Sequence, residues 1–171
     1  VFSEPTETGV QAVLNEFWTA LQNLSIDASN ESVRTSVRQR GVQLVNAIKQ
    51  ADQQLKDMVS DVNSVLDIKI NRVNQITMEI AALNRQITVL EVGNADNAND
   101  LRDRRDFLVD ELSSLVKVSV TEDRDGNYNI SAGNVGLVIG TDYQTLETVT
   151  DPNDAMCVKY GIEVKKLIIA S

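Results

Sequence analysis

Apolar side chains recur every three or four residues through the first part of the chain and at every second residue after Leu115, so the pattern predicts helices followed by strands. Val10, Val13, Leu14, Phe17, Trp18, Leu21 and Leu24 form one face of a first helix expected over about 9–24. Thr8 and Gln11 stand at capping-box spacing, where each side chain can answer the other's free backbone N–H. The small polar residues 25–30 read as a turn. From Glu31 to Val92 there is no proline and a single glycine, Gly41, so one helix about 90 Å long is expected at 1.5 Å per residue. Along it Leu44, Ile48, Ala51, Leu55, Met58, Val62 and Val65 alternate steps of four and three, as do Val73, Ile76, Ile80, Leu83, Ile87 and Leu90. These are the a and d positions of heptads. The two runs are out of phase by one residue between Val65 and Val73, which predicts a change of packing partner near Asp67–Ile70. Gly41 marks a close helix approach or a bend, at a propensity cost of only about 1 kcal/mol.

Gly93 to Ala98 has the composition of a turn, with Gly93 placed as a left-handed helix cap. A third helix is expected over 99–115, with Leu101, Leu108, Leu112 and Leu115 on one face and Asp100 and Asp103 near the positive end of its dipole. The chain must reverse before it, so it should pack antiparallel on the second half of the long helix. Val116, Val118 and Val120 then alternate with Lys117, Ser119 and Thr121, and Asp125-Gly126 predicts a hairpin with a type I′ turn leading to Tyr128 and Ile130. Further strands are expected at Gly136–Ile139, Met156–Tyr160 and Val164–Ile169. The fold class is therefore mainly α with a small β element: an elongated antiparallel helical bundle or coiled-coil shaft over 1–115, and a small sheet over 116–171.

One very long helix cannot bury its apolar edge alone, and the first and third helices cover only part of it. Each Leu or Ile left bare forgoes about 1.5–3 kcal/mol of available burial. Either another part of a parent chain or another subunit covers the remainder, or the molecule is an ordinary intramolecular bundle; periodicity leaves both open. The expected packing positions are Phe17, Trp18, Leu44, Ile48, Leu55, Val62, Val73, Ile76, Ile80, Leu83, Ile87, Leu101, Leu108 and Leu112.

Composition narrows the function. Of 171 residues 42% are hydrophobic but only 4% aromatic, so the apolar content is the Leu, Ile, Val and Ala of helical seams. A net charge of −9 and the absence of any basic run weigh against nucleic acid, whose phosphates need a basic surface; Arg102–Arg105 is interrupted by Asp103 and followed by Asp106. There is no histidine, which removes the commonest general base and metal ligand. The single cysteine, Cys157, forms no internal disulfide, and Met156-Cys157-Val158 reads as a buried inert thiol. No apolar stretch of about 18 residues is present to span a membrane. The first residues carry no signal-peptide core, and since the chain does not begin with Met it is expected to be cut from a longer polypeptide.

Candidate chemistry is sparse. Asp123-Arg124-Asp125-Gly126-Asn127 resembles the start of a calcium loop, but the twelfth position counted from Asp123 is Asn134, which supplies no bidentate acid. Asp103/Asp106 and Asp110/Glu111 lie on a helix rich in nearby arginines, so solvated ion pairs are the expected reading rather than a catalytic dyad. No phosphate-binding glycine loop and no nucleophile elbow is present. We expect no enzyme activity, no cofactor, no metal and no small-molecule substrate.

The run Asn99-Asp100-Leu101-Arg102-Asp103-Arg104-Arg105-Asp106, followed by Leu108 and by Asp110-Glu111-Leu112-Ser113, resembles a helix motif of the flagellar hook-associated protein 1 family, usually Asn-Asp-Leu-Leu-Asp-Gln-Arg-Asp and then Leu-rich turns ending in Leu-Ser. Phe17-Trp18 before Leu21 and Leu24 agrees, as do Arg34, Val37, Gly41 and Leu44 and the Asp-Gly hairpin with its Gly-Leu-Val strand. The resemblance covers about 1–140 and is loose beyond. Arg102 stands where the family has an apolar residue and Arg104 where it has Gln, both off the expected apolar face. The family motif residues to follow are Asn99, Asp100, Asp103, Arg105 and Asp106. The resemblance implies a structural subunit of the bacterial flagellum, exported by the flagellar type III system without a cleaved signal and working outside the cell in motility. It implies polymerisation into a ring joining hook to filament, with copies of itself and neighbouring axial proteins as partners, and no membrane or nucleic acid. It also implies that a carboxy-terminal helix returns to complete the shaft, so that this stretch would hold only its amino-terminal side. The alternatives are a flagellin or hook-associated protein 3 type of filament component, which shares the shaft architecture, and a non-flagellar coiled-coil binding module, which would form a parallel dimer.

Overall fold

A computed structural model describes residues 9–93, 98–161 and 163–170. Three helices come first: α1 (Val10–Ile26), α2 (Glu31–Gly93) and α3 (Asn99–Leu115). Then follow β1 (Ser119–Glu122), β2 (Tyr128–Ala132), β3 (Val135–Ile139), β4 (Asp142–Tyr143), β5 (Leu146–Thr150), the short α4 (Ala155–Tyr160) and β6 (Lys165–Ile169). The α2 helix is unbroken over 63 residues and runs through Gly41. The turn before it is built from side chains: Asp27 accepts from Ser29 and Asn30, and Asn30 Oδ1 accepts the Ser32 N–H at 3.0 Å, which caps α2. Thr8 and the 94–97 turn lie outside the described residues; Gln11 hydrogen-bonds Asn15 at 3.3 Å.

The chain divides into two compact units at Ser60/Asp61, not at the 115/116 boundary expected from the change of period. The reason is a shared core. Val73, Ile76, Ile80 and Ala81 of α2, Leu108 and Leu112 of α3, and Ile130, Leu137, Val138 and Leu146 of the strands form a single buried cluster, so the sheet belongs with the second half of α2. Within this unit α3 runs antiparallel to α2, as its ion pairs show in reverse order: Arg102 with Glu91, Arg104 with Glu79, Glu111 with Arg72. The first unit pairs α1 with the first part of α2. There the Phe17 ring lies 3.4 Å from where a Gly41 Cβ would stand, the close approach that the glycine implied.

A four-stranded antiparallel sheet has the order β1-β2-β3-β4, with a register shift between Ile130 and Ser131. β5 and β6 form a separate two-stranded antiparallel ribbon. Three expectations are corrected. The Asp125-Gly126 hairpin has no type I′ turn, because no non-glycine residue described has positive φ; Gly126 alone does (φ 76°) and donates its N–H to Asp123 O at 3.2 Å. This is the geometry of a three-residue loop ending in a left-handed glycine. Met156–Tyr160 is helix α4, not a strand: the Asp151 carboxylate and carbonyl organise 152–154 and start it, and Gly161 (φ 65°) ends it by donating to Cys157 O at 3.0 Å. Three apolar residues were too few to set a period. Cys157 is half-buried rather than buried. β4 and β5 were not anticipated, since the spacing of Leu146 and Val149 shows no alternation.

Candidate assembly face and its supporting core

The two heptad runs of α2 have opposite fates. In the first unit Leu44 and Ala51 are half-buried, but Ile48 is 52%, Leu55 42% and Met58 46% exposed. Val42 and Val45 beside them are exposed as well, and on α1 so are Val10, Leu14 and Trp18, the last at 63%. Phe17 is half-buried, and Ala20 is the one buried hydrophobic side chain described in this unit. In the second unit the row first continues exposed at Val62 and Val65, and Ile68 beyond it is exposed as well. Then Val73, Ile76, Ile80 and Ile87 are buried, Leu83 is half-buried and Leu90 is exposed. Trp18, Ile48, Leu55 and Val62, expected as packing positions, are thus exposed within their own units. For Trp18, Ile48 and Leu55 the first unit offers little buried apolar surface, and Val62 lies before the core of the second begins at Val73.

On α3, Leu101 is half-buried and Leu108 and Leu112 fully buried. Asn99, Asp100, Asp103 and Asp106 are exposed. Arg105 is not: it has no exposed surface at all, which overturns its reading as one of a set of solvated ion pairs. Its Nη1 donates to Asn84 Oδ1 and to Gly126 O, each at 2.9 Å, and its guanidinium lies 3.6 Å from the centroid of the Tyr128 ring. Nε and Nη2 have no hydrogen-bond partner among the described residues. Asn84, also fully buried, donates to Tyr128 O (2.9 Å) and Gly140 O (2.6 Å) and accepts the Tyr128 N–H at 3.2 Å. Arg105 and Asn84 therefore tie α2, α3 and the β1–β2 hairpin at one point. A signal for both was present: Leu101, Arg105, Leu108 and Leu112 step by four, three and four, and Val73, Thr77, Ile80, Asn84 and Ile87 by four, three, four and three. Each polar residue occupies a seam position that apolar counting skipped.

Around this core the charges pair at the rim. Arg72 grips Glu111 through two bonds of 2.6 Å, and Arg102 grips Glu91 at 3.0 and 2.8 Å while reaching Glu122 at 3.4 Å. These hydrogen bonds hold the Glu111 and Glu91 carboxyls below their ordinary range, and the bond to Lys165, then that to Thr148, does the same for Asp67. Burial, followed by the Asp106 carboxylate, raises the Tyr128 phenol. The suspected calcium loop spends its acid internally. Asp123 Oδ1 accepts the N–H groups of Asp125 and Asn127, each at 2.9 Å, and the Asn127 bond leads in lowering the Asp123 carboxyl. Among the described residues no group of three or more acidic or cysteine side chains converges on a metal-sized point. Arg104 lies 5.8 Å from the Phe107 ring centroid, and both side chains are exposed.

Residues 1–169 match the family model described as flagellar hook-associated protein FlgK helical domain. The chain belongs to this family. Flagellar hook-associated protein 1 of Bacillus subtilis (strain 168) is 32% identical over 155 residues, which are 88% of this chain and 30% of that protein. The protein of the same name from Escherichia coli (strain K12) is 35% identical over 143 residues, 82% of this chain and 26% of the relative. The flagellar hook junction protein FlgK from Burkholderia pseudomallei has a similar structure, with a TM-score of 0.83 and 28% identity over 95% of this chain and 27% of that one. The chain thus spans less than a third of the hook-associated proteins it matches, and the match extends past the 1–140 region in which the motif resemblance is close. The mainly α architecture, with one very long helix and a small antiparallel sheet, is that of this structural neighbour.

Proposed function

We propose that this chain is the helical part of a structural subunit that joins hook to filament in the bacterial flagellum, outside the cell. It works by lateral packing of α2 with other parts of the same protein, copies of it and neighbouring axial proteins. The observation that carries the reading is the heptad row Ile48, Leu55 and Met58, regular in sequence yet exposed in its unit. Exposed apolar surface of this regularity marks an interaction site. Family membership supplies the setting, and the short coverage of the relatives leaves ample further chain to take part. The role is mechanical: side chains at fixed heptad spacing set how neighbouring helices lie, and no catalysis is involved.

The test places Ile48→Asp and Leu55→Asp in the parent protein of a motile strain. Both variants should be exported and keep their second unit folded, yet fail to hold filament on the hook, so cells lose swimming and shed flagellin. Ile80→Asp should fail earlier, through unfolding. Normal filaments on cells carrying Ile48→Asp and Leu55→Asp together would reject the row as an assembly surface.

A further inference from the structure

The α2 helix carries asparagines at 63, 74 and 84, in steps of eleven and ten residues, close to three helical turns of about 10.8 residues. Each one bridges backbone groups of the β segments. Asn74 Nδ2 donates to Leu146 O (2.8 Å) while its Oδ1 accepts the Leu146 N–H (2.9 Å). This is the two-bond exchange that a residue on an antiparallel neighbouring strand would make. Asn63 Nδ2 donates to Glu163 O (2.7 Å) and its Oδ1 accepts the Lys165 N–H (3.3 Å), spanning two residues as a parallel neighbour would. Asn84 repeats the Asn74 pattern, donating to Tyr128 O and accepting the Tyr128 N–H, at the end of the β2–β3 ladder.

The register of the ribbon shows what Asn63 and Asn74 achieve. Ala170 donates to Thr145 O (2.8 Å) and Asp151 to Val164 O (3.0 Å), so odd positions of β5 face β6 across the ladder. Leu146, Thr148 and Thr150, and on the other strand Lys165, Leu167 and Ile169, turn their backbone groups outward. Among the described residues no further strand pairs with either edge of the ribbon, and it carries exposed apolar side chains at Leu167, Ile168 and Ile169. A two-stranded ribbon of this kind is a template for further strands. Asn74 occupies the β5 edge at Leu146 and Asn63 the β6 edge at Lys165, while the Asp67 carboxylate binds both Thr148 and Lys165 between them.

We propose that Asn63 and Asn74 are strand surrogates: they cap the two outer edges of the β5–β6 ribbon and keep it from pairing, edge to edge, with the ribbon of a second copy of this chain. The device is one of protection, separate from the α2 surface assigned to assembly. It does not depend on that assignment.

The experiment compares the parent chain with Asn63→Ala/Asn74→Ala across a concentration series by sedimentation, with backbone hydrogen exchange on both. Alanine preserves helix propensity and the core is untouched, so circular dichroism should be unchanged. Amides of Leu146 and Lys165 should exchange about ten-fold faster at low concentration, the equivalent of a lost hydrogen bond. At high concentration the variant should associate beyond the parent, with the outward amides of Thr148 and Leu167 newly protected. Adding Leu167→Lys should restore the parent's size, since an edge lysine opposes strand pairing. The proposal is overturned if the double variant keeps the parent's size at every concentration, or associates with those amides still unprotected. Loss of the whole β5–β6 ladder in the dilute variant would also overturn it, because the asparagines would then hold the ribbon together rather than shield it.

Discussion

At position 105 a guanidinium is enclosed between the Tyr128 ring, Asn84 and the Gly126 carbonyl, with two of its three nitrogens lacking partners among the described residues. A buried charge so incompletely paired carries a desolvation cost, yet removing its volume leaves a hole. Arg105→Ala should therefore destabilise the second unit by about 3 kcal/mol, and Arg105→Met, which fills the space without the charge, by only about 1–2 kcal/mol. Urea unfolding distinguishes them; equal losses would mean that the hydrogen bonds, not the packing, dominate. Arg104→Ala, at an exposed pair with Glu79, should change stability by less than about 0.5 kcal/mol. Nearby, Gly126 combines a φ of 76° with a position where a Cβ would stand 3.2 Å from Arg102 Nη2. Gly126→Ala should cost about 1–2 kcal/mol, more than Gly133→Ala, where φ is 59° but the space is open. Thermal melts of the two variants check the order.

Among the elements, α2 and α3 are joined by apolar layers inside and by carboxylate–arginine pairs at the rim. Ile80 has no exposed surface, so Ile80→Asp should unfold the second unit, whereas Leu83→Asp at a half-buried site should cost about 1–3 kcal/mol. The rim pairs give the unit a predictable response to acid. Glu91 and Glu111 titrate below the ordinary 4.5 and Asp67 below the ordinary 3.8, so in acid the folded unit binds fewer protons than the unfolded chain. Their contribution is complete above those ordinary values and is lost as pH falls through the lower folded-state values. The melting temperature should decline on acidification below about pH 4.5, and the decline should be shallower in Arg72→Met/Arg102→Met. A profile unchanged by that pair of substitutions would contradict the assignment.

For the molecule as a whole, the division at Ser60/Asp61 separates a unit with one buried hydrophobic side chain described from a unit with a continuous core. Residues 61–171 expressed alone should show one cooperative unfolding transition. Residues 1–60 alone should show weak, concentration-dependent helicity, because an isolated two-helix segment with a bare seam has too little burial to offset its chain entropy. Circular dichroism over a dilution series measures both. A cooperative, concentration-independent melt of 1–60 would show that its own contacts suffice.

The helix boundaries, the antiparallel return of α3, the Gly41 approach and the family motif were all legible in the residue pattern, because helical periodicity and turn chemistry are local properties. Tertiary structure alone decided which half of the long seam is covered, since burial depends on what stands opposite and both halves read alike. It also decided what Arg105 bonds to, and it set Asn63, Asn74 and Asn84 against strand backbones: a polar side chain acquires a role only when a distant segment arrives with the matching donor and acceptor.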